Sequence, residues 1–345
     1  MTSDERAPAL RWGVIGATSR VARLAVMPAI AASPTARLVA VASEGGPAAP
    51  PGDARVYSRY EALLDDPDVE AVYVPLPNSL HRSWVERAAA ASKHVLCEKP
   101  LAPTVADAKA MAAACAAAGV TLREAYMTPF HPRAAAVDAL VASGRLGDLR
   151  FARAAFTSVL DRPGDHRWRP EMGGGALLDV GTYCVAPLLR AAGRAPVRVE
   201  AAAVRSTSGV ESAIAGWLDF GQGFAAAIEC AFDAPERQSL EIVGTEAAVV
   251  LERAFTPGHA DTRFSLQRRD GRAETVESRG ADPYRAMIEA FHAAVRGAAR
   301  AGSIAASIAV AAVLDRLREA AGLEPAPAAL MSARRTAPGD LPPRS

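Results

Sequence analysis

The feature that most constrains the fold is an alternation in the first third of the chain. Between Leu10 and Tyr126, short apolar runs alternate with longer, alanine-rich segments of helical character. This pattern is typical of units in which a crossover helix joins two parallel strands, so it predicts a doubly wound parallel sheet of the α/β class. The predicted strands cover residues 12–15, 38–42, 71–74, 94–97 and 121–125, and the predicted helices cover residues 20–32, 60–64, 80–91 and 104–117.

After Pro132 the pattern changes. A helix at residues 134–143 leads into alternating runs joined by short connections, which indicates a mainly antiparallel sheet and therefore an α+β domain. The runs lie at residues 149–159, 197–204, 212–218, 224–232 and 239–243, and two late helices lie at residues 284–296 and 307–321. We therefore expect a first domain at residues 1–127, a second at 128–330, and a loosely held tail at 331–345, with a proline-rich loop at 47–52.

Charge and cysteine usage exclude several classes of protein. The chain has 345 residues, with 39 basic and 38 acidic side chains, so no global field attracts nucleic acid or an anionic membrane. The four cysteines are widely scattered, and no pair of histidines or cysteines has metal-ligand spacing, so we expect no metal. Without an apolar leader near the first residues or a later spanning segment, we expect a cytoplasmic protein.

The first predicted strand runs into a turn that resembles a phosphate-binding loop. Gly16 occupies the turn, where backbone N–H groups face a pyrophosphate in dinucleotide-binding proteins, and Thr18, Ser19 and Arg20 follow. Thr18 stands where the second glycine of G-x-G-x-x-G/A is expected, so an ordinary helix N-terminus remains an alternative. After the second strand, Glu44 would accept from the ribose hydroxyls of NAD and repel a 2′-phosphate, whereas Ser43 would donate to that phosphate if Glu44 turned outward.

Four further motifs follow in order: Val72-Tyr73-Val74-Pro75-Leu76-Pro77-Asn78-Ser79-Leu80-His81, Cys97-Glu98-Lys99-Pro100-Leu101, Glu124-Ala125-Tyr126-Met127, and Gly173-Gly174-Gly175-Ala176-Leu177-Leu178-Asp179-Val180-Gly181-Thr182-Tyr183. In this order and spacing they resemble the Gfo/Idh/MocA oxidoreductases, in the branch that carries tyrosine at Tyr183: glucose–fructose oxidoreductase, dihydrodiol dehydrogenase and deoxysugar 3-ketoreductases. The resemblance implies an N-terminal Rossmann domain that binds NAD or NADP, and a catalytic centre of Lys99, Asp179 and Tyr183.

The same resemblance implies further roles around the nicotinamide. Glu98 would bond the nicotinamide ribose, Lys99 would also border the cofactor, and the Lys99–Pro100 bond would be cis. The residues expected to border the nicotinamide are Pro75, Asn78 and His81, although His81 could instead pack against its own helix. Relatives commonly pair through the second sheet, which implies a homo-oligomer.

The catalytic residues suit hydride transfer at a carbonyl carbon, which needs a proton donor or acceptor on the oxygen. Asp179 and Tyr183 are four residues apart and would share one face of a helix opened by Gly175. We expect an ammonium at Lys99 to lower the pKa of the Tyr183 phenol, and Asp179 to accept from a substrate hydroxyl or to orient Lys99. Gly181 inside that helix would be explained by the close approach of a ligand.

These residues favour a dehydrogenase or reductase acting on a secondary alcohol or ketone of a sugar, cyclitol or related polyol, with NADP slightly favoured over NAD. Tyr126, His166 and Trp168 are the candidate substrate residues, and His131 is a weaker one. Arg167 and Arg169 would bind a phosphate-bearing substrate or be solvated. A catalytically silent nucleotide-binding regulator and a purely structural protein are the alternatives, and both leave Lys99, Asp179 and Tyr183 unexplained.

Overall fold

The structure is a computed structural model of the chain, and it describes residues 8–44, 52–162, 164–297 and 303–326. The tail predicted at residues 331–345 and most of the loop predicted at 47–52 lie outside the described residues.

The first part of the chain forms a six-stranded parallel sheet with helices on both faces. Its strands are β1 (Leu10–Ile15), β2 (Ala36–Ala42), β3 (Arg55–Tyr57), β4 (Ala71–Val74), β5 (His94–Glu98) and β6 (Leu122–Ala125), in the order β3-β2-β1-β4-β5-β6. The strand order reverses between β1 and β4, so the carboxyl ends of these strands border a crevice of the kind in which doubly wound sheets bind ligands. The predicted parallel sheet is confirmed. The short edge strand β3 was missed.

The helices of this part lie close to their predicted positions. They are α1 (Met27–Ala32), α2 (Tyr60–Leu64), α3 (His81–Ala90) and α4 (Val105–Ala117). A π-helical turn at Ala22–Val26 precedes α1. Thr104 caps α4 by accepting from the backbone N–H of Asp107, and Gly119 follows the helix with a φ of +68°, which a glycine adopts without strain.

The second part forms an eight-stranded sheet. Its strands are β7 (Leu149–Val159), β8 (Arg198–Arg205), β9 (Glu211–Asp219), β10 (Ala225–Ala231), β11 (Asp233–Gly244), β12 (Ala247–Glu252), β13 (Thr262–Arg268) and β14 (Ala273–Ser278), in the order β14-β13-β12-β11-β7-β10-β9-β8. All neighbours are antiparallel except β7 and β10, which are parallel. The α+β prediction is confirmed, and the strands from β12 onward were missed.

In the part of the chain that the structure describes, four further α-helices follow: α5 (Pro132–Ala142), α6 (Thr182–Ala192), α7 (Pro283–Val295) and α8 (Ile304–Ala320). Helix α8 joins the two sheets. Its Leu317 packs where a side chain at Gly216 of β9 would otherwise stand, and its Asp315 accepts from Val105 N of α4 at 2.8 Å. Helix α7 returns to the first sheet, where Phe291 packs on Trp12 at 4.9 Å between ring centroids.

The two faces of β10 differ in burial and charge. Phe224, Ala226, Ile228 and Cys230 are buried in the core. On the opposite face, Glu229 pairs with both Arg153 and Arg237. On the same side of the sheet, Phe151 is 58% exposed and Trp217 is 38% exposed.

One helical stretch, Pro170–Ala192, is long and apolar enough by composition to cross a membrane. Most of its apolar window is buried inside the protein, as in the core helix of a globular domain.

Candidate active site

The strand ends of the first sheet place Lys99 at the crevice. Glu98 is the last residue of β5, and the Lys99–Pro100 peptide bond that follows is cis, as the resemblance implied. The turn is held from β6, because Glu124 Oε1 accepts from Leu101 N at 2.8 Å. Lys99 thus projects from a rigid position toward the second sheet.

Lys99 meets Asp179 across the boundary between the two sheets. Lys99 Nζ donates to the Asp179 carboxylate at 2.9 Å and to the Asp179 carbonyl oxygen at 2.7 Å. An ammonium carries three N–H donors, so one donor remains available for another oxygen. The prediction that Asp179 orients Lys99 agrees with this geometry.

Asp179 carries a second cation that the sequence did not connect with it. Arg167 Nε lies 3.0 Å from Asp179 Oδ2, and Arg167 Nη1 lies 3.2 Å from Asp165 Oδ1. The charges of Lys99 and Arg167 outweigh the effect of burial and lower the pKa of Asp179 from 3.8 to about 2. Asp179 is therefore ionised throughout the physiological range.

Tyr183 does not behave as expected. Lys99 Nζ lies over the face of its ring, 5.0 Å from the centroid, rather than beside its hydroxyl. Burial, followed by the negative charges of Glu98 and Asp179, raises the pKa of Tyr183 well above its usual value. The prediction that Lys99 lowers this pKa is wrong, because a cation placed over the ring face offsets neither desolvation nor two neighbouring carboxylates. Tyr183 is a neutral phenol that can donate a proton.

The glycine-rich segment positions Asp179 and Tyr183. Gly175 has a φ of +109°, and a Cβ there would lie 2.2 Å from the Glu211 carboxylate, which accepts from Leu177 N at 3.1 Å. A π-helical turn at Leu177–Gly181 carries Asp179 and continues into α6 with Tyr183. The helix predicted after Gly175 is present.

Gly181 has a different explanation from the predicted one. A Cβ at Gly181 would lie 2.9 Å from Leu177 Cδ1 and 3.3 Å from Leu314 Cδ2 of α8. Packing of the helix, rather than approach of a ligand, requires the missing side chain.

These groups share a cavity of about 220 Å³ at the crevice. It is lined by Val21, Glu98, Lys99, Ala125, Met127, Phe156, Arg167, Asp179, Val180, Tyr183 and Tyr284. Glu98 is held at its edge by Tyr73, whose hydroxyl donates to Glu98 Oε1 at 2.5 Å, while Glu98 Oε2 accepts from Lys99 N at 3.1 Å. Burial raises the pKa of Glu98.

The turn after β1 fits a dinucleotide. Gly16 has a φ of +75°, and a Cβ there would lie 2.8 Å from Leu76, so only glycine suits this tight turn. Thr18 and Arg20 are exposed at its open end, and Ser19 caps the following helix by accepting from Ala22 N at 3.2 Å. Donors and a helix N-terminus at the switch point of a parallel sheet match what a pyrophosphate requires.

The second strand ends beside this turn. Ser43 Oγ lies 3.1 Å from Thr18 Oγ1, and Ser43 is buried. Glu44 is exposed and lies beside the start of α2, where burial and the charge of Glu61 raise its pKa and the backbone of Tyr60 lowers it. Ser43 and Glu44 thus lie where an adenosine ribose is expected.

The loop after β4 contributes less than expected to the crevice. Pro75 is buried beside Gly16, and Asn78 Nδ2 donates to Gly173 O at 2.8 Å, which joins this loop to the glycine-rich segment. His81 is fully buried, with Nε2 2.8 Å from Leu76 O and Nδ1 3.1 Å from Pro100 O. The prediction that His81 borders the nicotinamide is corrected to packing within the protein, because its ring has no accessible surface.

The candidate substrate residues separate into three environments. His166 is near the crevice with its side chain 40% exposed, beside Asp165 at 3.4 Å. Trp168 donates from its indole N–H to Leu160 O at 3.3 Å and packs on Phe232, so it is bound into the core. Tyr126 is buried behind Tyr183, its ring edge-on at 5.4 Å.

For two further residues near the substrate the structure distinguishes between the alternatives that the sequence left open. His131 is 1% exposed and caps α5, where its Nδ1 accepts from Arg133 N, so it does not reach the crevice. Arg169 is half-exposed and pairs with Glu171 at 2.7 Å, which is the solvated alternative.

Sequence reasoning missed the roles of Arg167, Phe156 and Tyr284 at the cavity. Arg167 lies near other charged residues in the sequence, Phe156 belongs to an alternating strand, and Tyr284 lies in a helix more than a hundred residues later. None of these local contexts indicates a catalytic centre. Within the described residues, no group of three histidine, cysteine or acidic side chains could hold a metal ion.

Comparison with known proteins agrees with this architecture. Residues 10–126 match the GFO/IDH/MocA oxidoreductase family with an NAD-binding Rossmann fold, and residues 134–250 match the GFO/IDH/MocA C-terminal domain. A D-xylose 1-dehydrogenase (NADP(+)) 2 of Haloferax volcanii is 36% identical over 299 residues, which are 83% of this chain and 89% of that protein.

Two further similar proteins are reductases by name. A dTDP-3,4-didehydro-2,6-dideoxy-alpha-D-glucose 3-reductase of Streptomyces violaceoruber is 36% identical over 341 residues, covering 92% of this chain and 97% of that protein. The crystal structure of a 3-ketoreductase from Actinomadura kijaniata, in complex with NADP and TDP-benzene, superimposes with a TM-score of 0.81 at 28% identity, covering 90% of this chain and 98% of that one.

Proposed function

Because the chain belongs to the Gfo/Idh/MocA family of NAD(P)-binding oxidoreductases, we propose that it transfers a hydride between NADP and a secondary alcohol or ketone of a sugar, a cyclitol or a related polyol. The observation that carries this proposal is the cavity in which Lys99, Asp179, Arg167 and Tyr183 meet beside Glu98, at the carboxyl edge of the parallel sheet.

The residues that would hold the dinucleotide come from three strand ends. Gly16, Thr18, Ser19 and Arg20 would bind the pyrophosphate, with Ser43 and Glu44 at the adenosine ribose. Pro75, Asn78, Glu98 and Lys99 would border the nicotinamide. When bound, the nicotinamide supplies or accepts the hydride, and the protein supplies orientation and proton transfer.

Lys99, Tyr183 and Asp179 have different proposed roles in proton transfer. In the reducing direction the ketone oxygen gains negative charge, and the remaining N–H of Lys99 would donate to it in the transition state. The Tyr183 hydroxyl, which makes no hydrogen bond among the described residues and stays protonated, would supply the proton. Asp179 keeps Lys99 and Arg167 in place and remains an anion, because its pKa is about 2.

The charges favour an uncharged reacting group. Lys99 and Arg167 are both paired with Asp179, and Arg167 is also paired with Asp165. Among the described residues that line the cavity, both cations are thus already paired with a carboxylate, which disfavours a phosphate at the reacting end. The hydroxyls of a polyol can both donate and accept hydrogen bonds in this cavity. His166, at the mouth of the cavity, can likewise donate to or accept from such a hydroxyl.

The choice of NADP rests on the adenosine end and on relatives. Ser43 and Thr18 present hydroxyl donors, and Glu44 lies toward α2. Similar proteins are named for NADP or were solved with it. We further propose a cytoplasmic homo-oligomer that pairs through the exposed face of the second sheet.

The test is turnover followed by NADPH fluorescence. Calorimetry first measures the affinities for NADPH and NADH, and the preferred cofactor is then assayed with a panel of sugars, cyclitols and keto-sugars in both directions. Lys99→Met is the inactive reference, and Lys109→Met, on the exposed face of α4, is the matched control.

We expect turnover by the wild type and by Lys109→Met on at least one member of the panel. Tight cofactor binding without turnover on the whole panel would instead favour the silent regulator, and absence of cofactor binding would overturn the proposal.

A further inference from the structure

A much smaller cavity lies on the far side of Tyr126 from Tyr183 of the catalytic cavity. Its volume is about 20 Å³, which suits one water-sized occupant. Tyr126, Thr128, His131, Arg133 and Arg190 are among its lining residues, and it shares none of its lining with the catalytic cavity.

Three polar atoms of residues that line this cavity are solvent-inaccessible and have no hydrogen-bond partner: His131 Nε2, Arg190 Nε and Arg190 Nη1. Arg190 and Tyr126 also line a separate cavity of about 670 Å³. His131 Nδ1 accepts from Arg133 N at 3.1 Å, so Nε2 carries the ring hydrogen. Both arginine nitrogens are donors in every protonation state. All three atoms are therefore donors that lack an acceptor, and the Tyr126 hydroxyl, which also interacts with the Thr128 side chain, can serve as a fourth donor.

The surroundings of the cavity are positively charged. Arg133 is 4% exposed, and its guanidinium donates to the carbonyl oxygens of Glu252, Arg253 and Ala254. Within the described part of the chain, no carboxylate lies within ion-pair distance of it. A buried charge without a counter-ion is costly, so this region lacks a negative charge.

Arg190 is only partly compensated. Its Nη2 pairs with Asp138 at 3.0 Å, and the Asp138 side chain is 48% exposed. Burial and the nearby charges of Arg133 and His259 lower the pKa of His131, as a positive potential requires.

A water molecule fits the volume but not the hydrogen bonding. Water has two lone pairs and two hydrogens, so it would leave one of the three N–H donors unpaired and would not compensate Arg133. A monoatomic anion accepts from all the donors and supplies the missing charge.

We propose that this cavity is a binding site for a small halide ion, chloride under ordinary conditions. The ion bridges Tyr126, the His131 cap of α5 and the last turn of α6. Because the ring of Tyr126 packs edge-on against Tyr183, the site supports the wall of the catalytic cavity from behind.

The first test compares anions at constant ionic strength. The protein is dialysed into sodium gluconate, whose anion is too large for the cavity, and then titrated with chloride or bromide while thermal unfolding is followed. We expect Tm to rise with the logarithm of the chloride concentration above Kd and to be about 2 °C higher when chloride reaches tenfold its Kd. Arg190→Gln and Tyr126→Phe should reduce this shift by at least half, and Arg198→Gln, at an exposed arginine paired with Glu200, should retain it.

The second test does not depend on a variant that folds. Crystals of the wild type grown in bromide should show an anomalous peak within hydrogen-bonding distance of Tyr126 Oη, His131 Nε2 and Arg190 Nε. Equal Tm values in chloride and gluconate, or an ordered water without anomalous signal at this position, would overturn the proposal. Both readouts are independent of the proposed catalytic function.

Discussion

The carboxylate of Asp179 holds two partly buried cations, and its removal gives the sharpest test of the site. Lowering the pKa of this carboxyl from 3.8 to about 2 corresponds to about 2 kcal/mol of free energy of unfolding at neutral pH. The side chain is 20% exposed, so solvent screens this contribution only in part. Asp179→Asn keeps the shape of the side chain and removes the charge. We therefore expect it to lower the free energy of unfolding by about 2 kcal/mol at pH 7.

The lowered pKa of Asp179 also predicts how its contribution to stability depends on pH. Because the folded pKa of Asp179 lies below its unfolded value, the stabilisation is present above the unfolded pKa and is lost as the pH falls toward about 2. Urea denaturation at several pH values should show the difference between wild type and Asp179→Asn shrinking between pH 4 and pH 2.

The matched control is Glu171→Gln, which removes a 54% exposed carboxylate paired with Arg169. We expect it to change the free energy of unfolding by less than about 0.5 kcal/mol. A difference for Asp179→Asn that stays constant from pH 7 to pH 2 would refute the reasoning, because the effect would then not arise from the charge.

Three further predictions concern the proposed chemistry, the cofactor and the assembly. Lys99→Met should remove at least 99% of turnover while the affinity for NADPH changes by only a few fold, because a donor to the substrate oxygen acts mainly in the transition state. A kcat near that of the wild type in the folded variant would show that Lys99 has no part in the mechanism. Glu44→Arg should raise the ratio of NADPH affinity to NADH affinity at least tenfold in calorimetry, because a guanidinium binds a 2′-phosphate that a carboxylate repels. An unchanged ratio would mean that Glu44 does not lie at the adenosine ribose. Light scattering at low micromolar concentration should measure the mass of an oligomer for the wild type. Ala227→Arg should dissociate this oligomer, since Ala227 lies opposite Trp217 on the exposed face of the sheet. A monomeric wild type would contradict this prediction.

Much of the architecture follows from local sequence. Period-two alternation locates the strand β7, and helical character locates α2, at their observed bounds. The Thr104 cap fixes the start of α4. The ordered motifs also place Lys99 and Asp179 in one site, where the structure joins them at 2.9 Å. These features are local or have a fixed order along the chain, so one sequence is sufficient to predict them.

The electrostatics of the site were decided by tertiary contacts. The position of Lys99 over the ring face of Tyr183, and the burial of that ring beside Glu98 and Asp179, set a pKa opposite in direction to the expected one. Arg167 reaches Asp179 from a separate turn. The pKa of a group depends on the distances and burial of charges brought together from distant parts of the chain, and the order of residues along one chain does not specify these. His81 shows the same principle for a single side chain, because its three carbonyl partners come from two different loops and leave it no surface for a ligand.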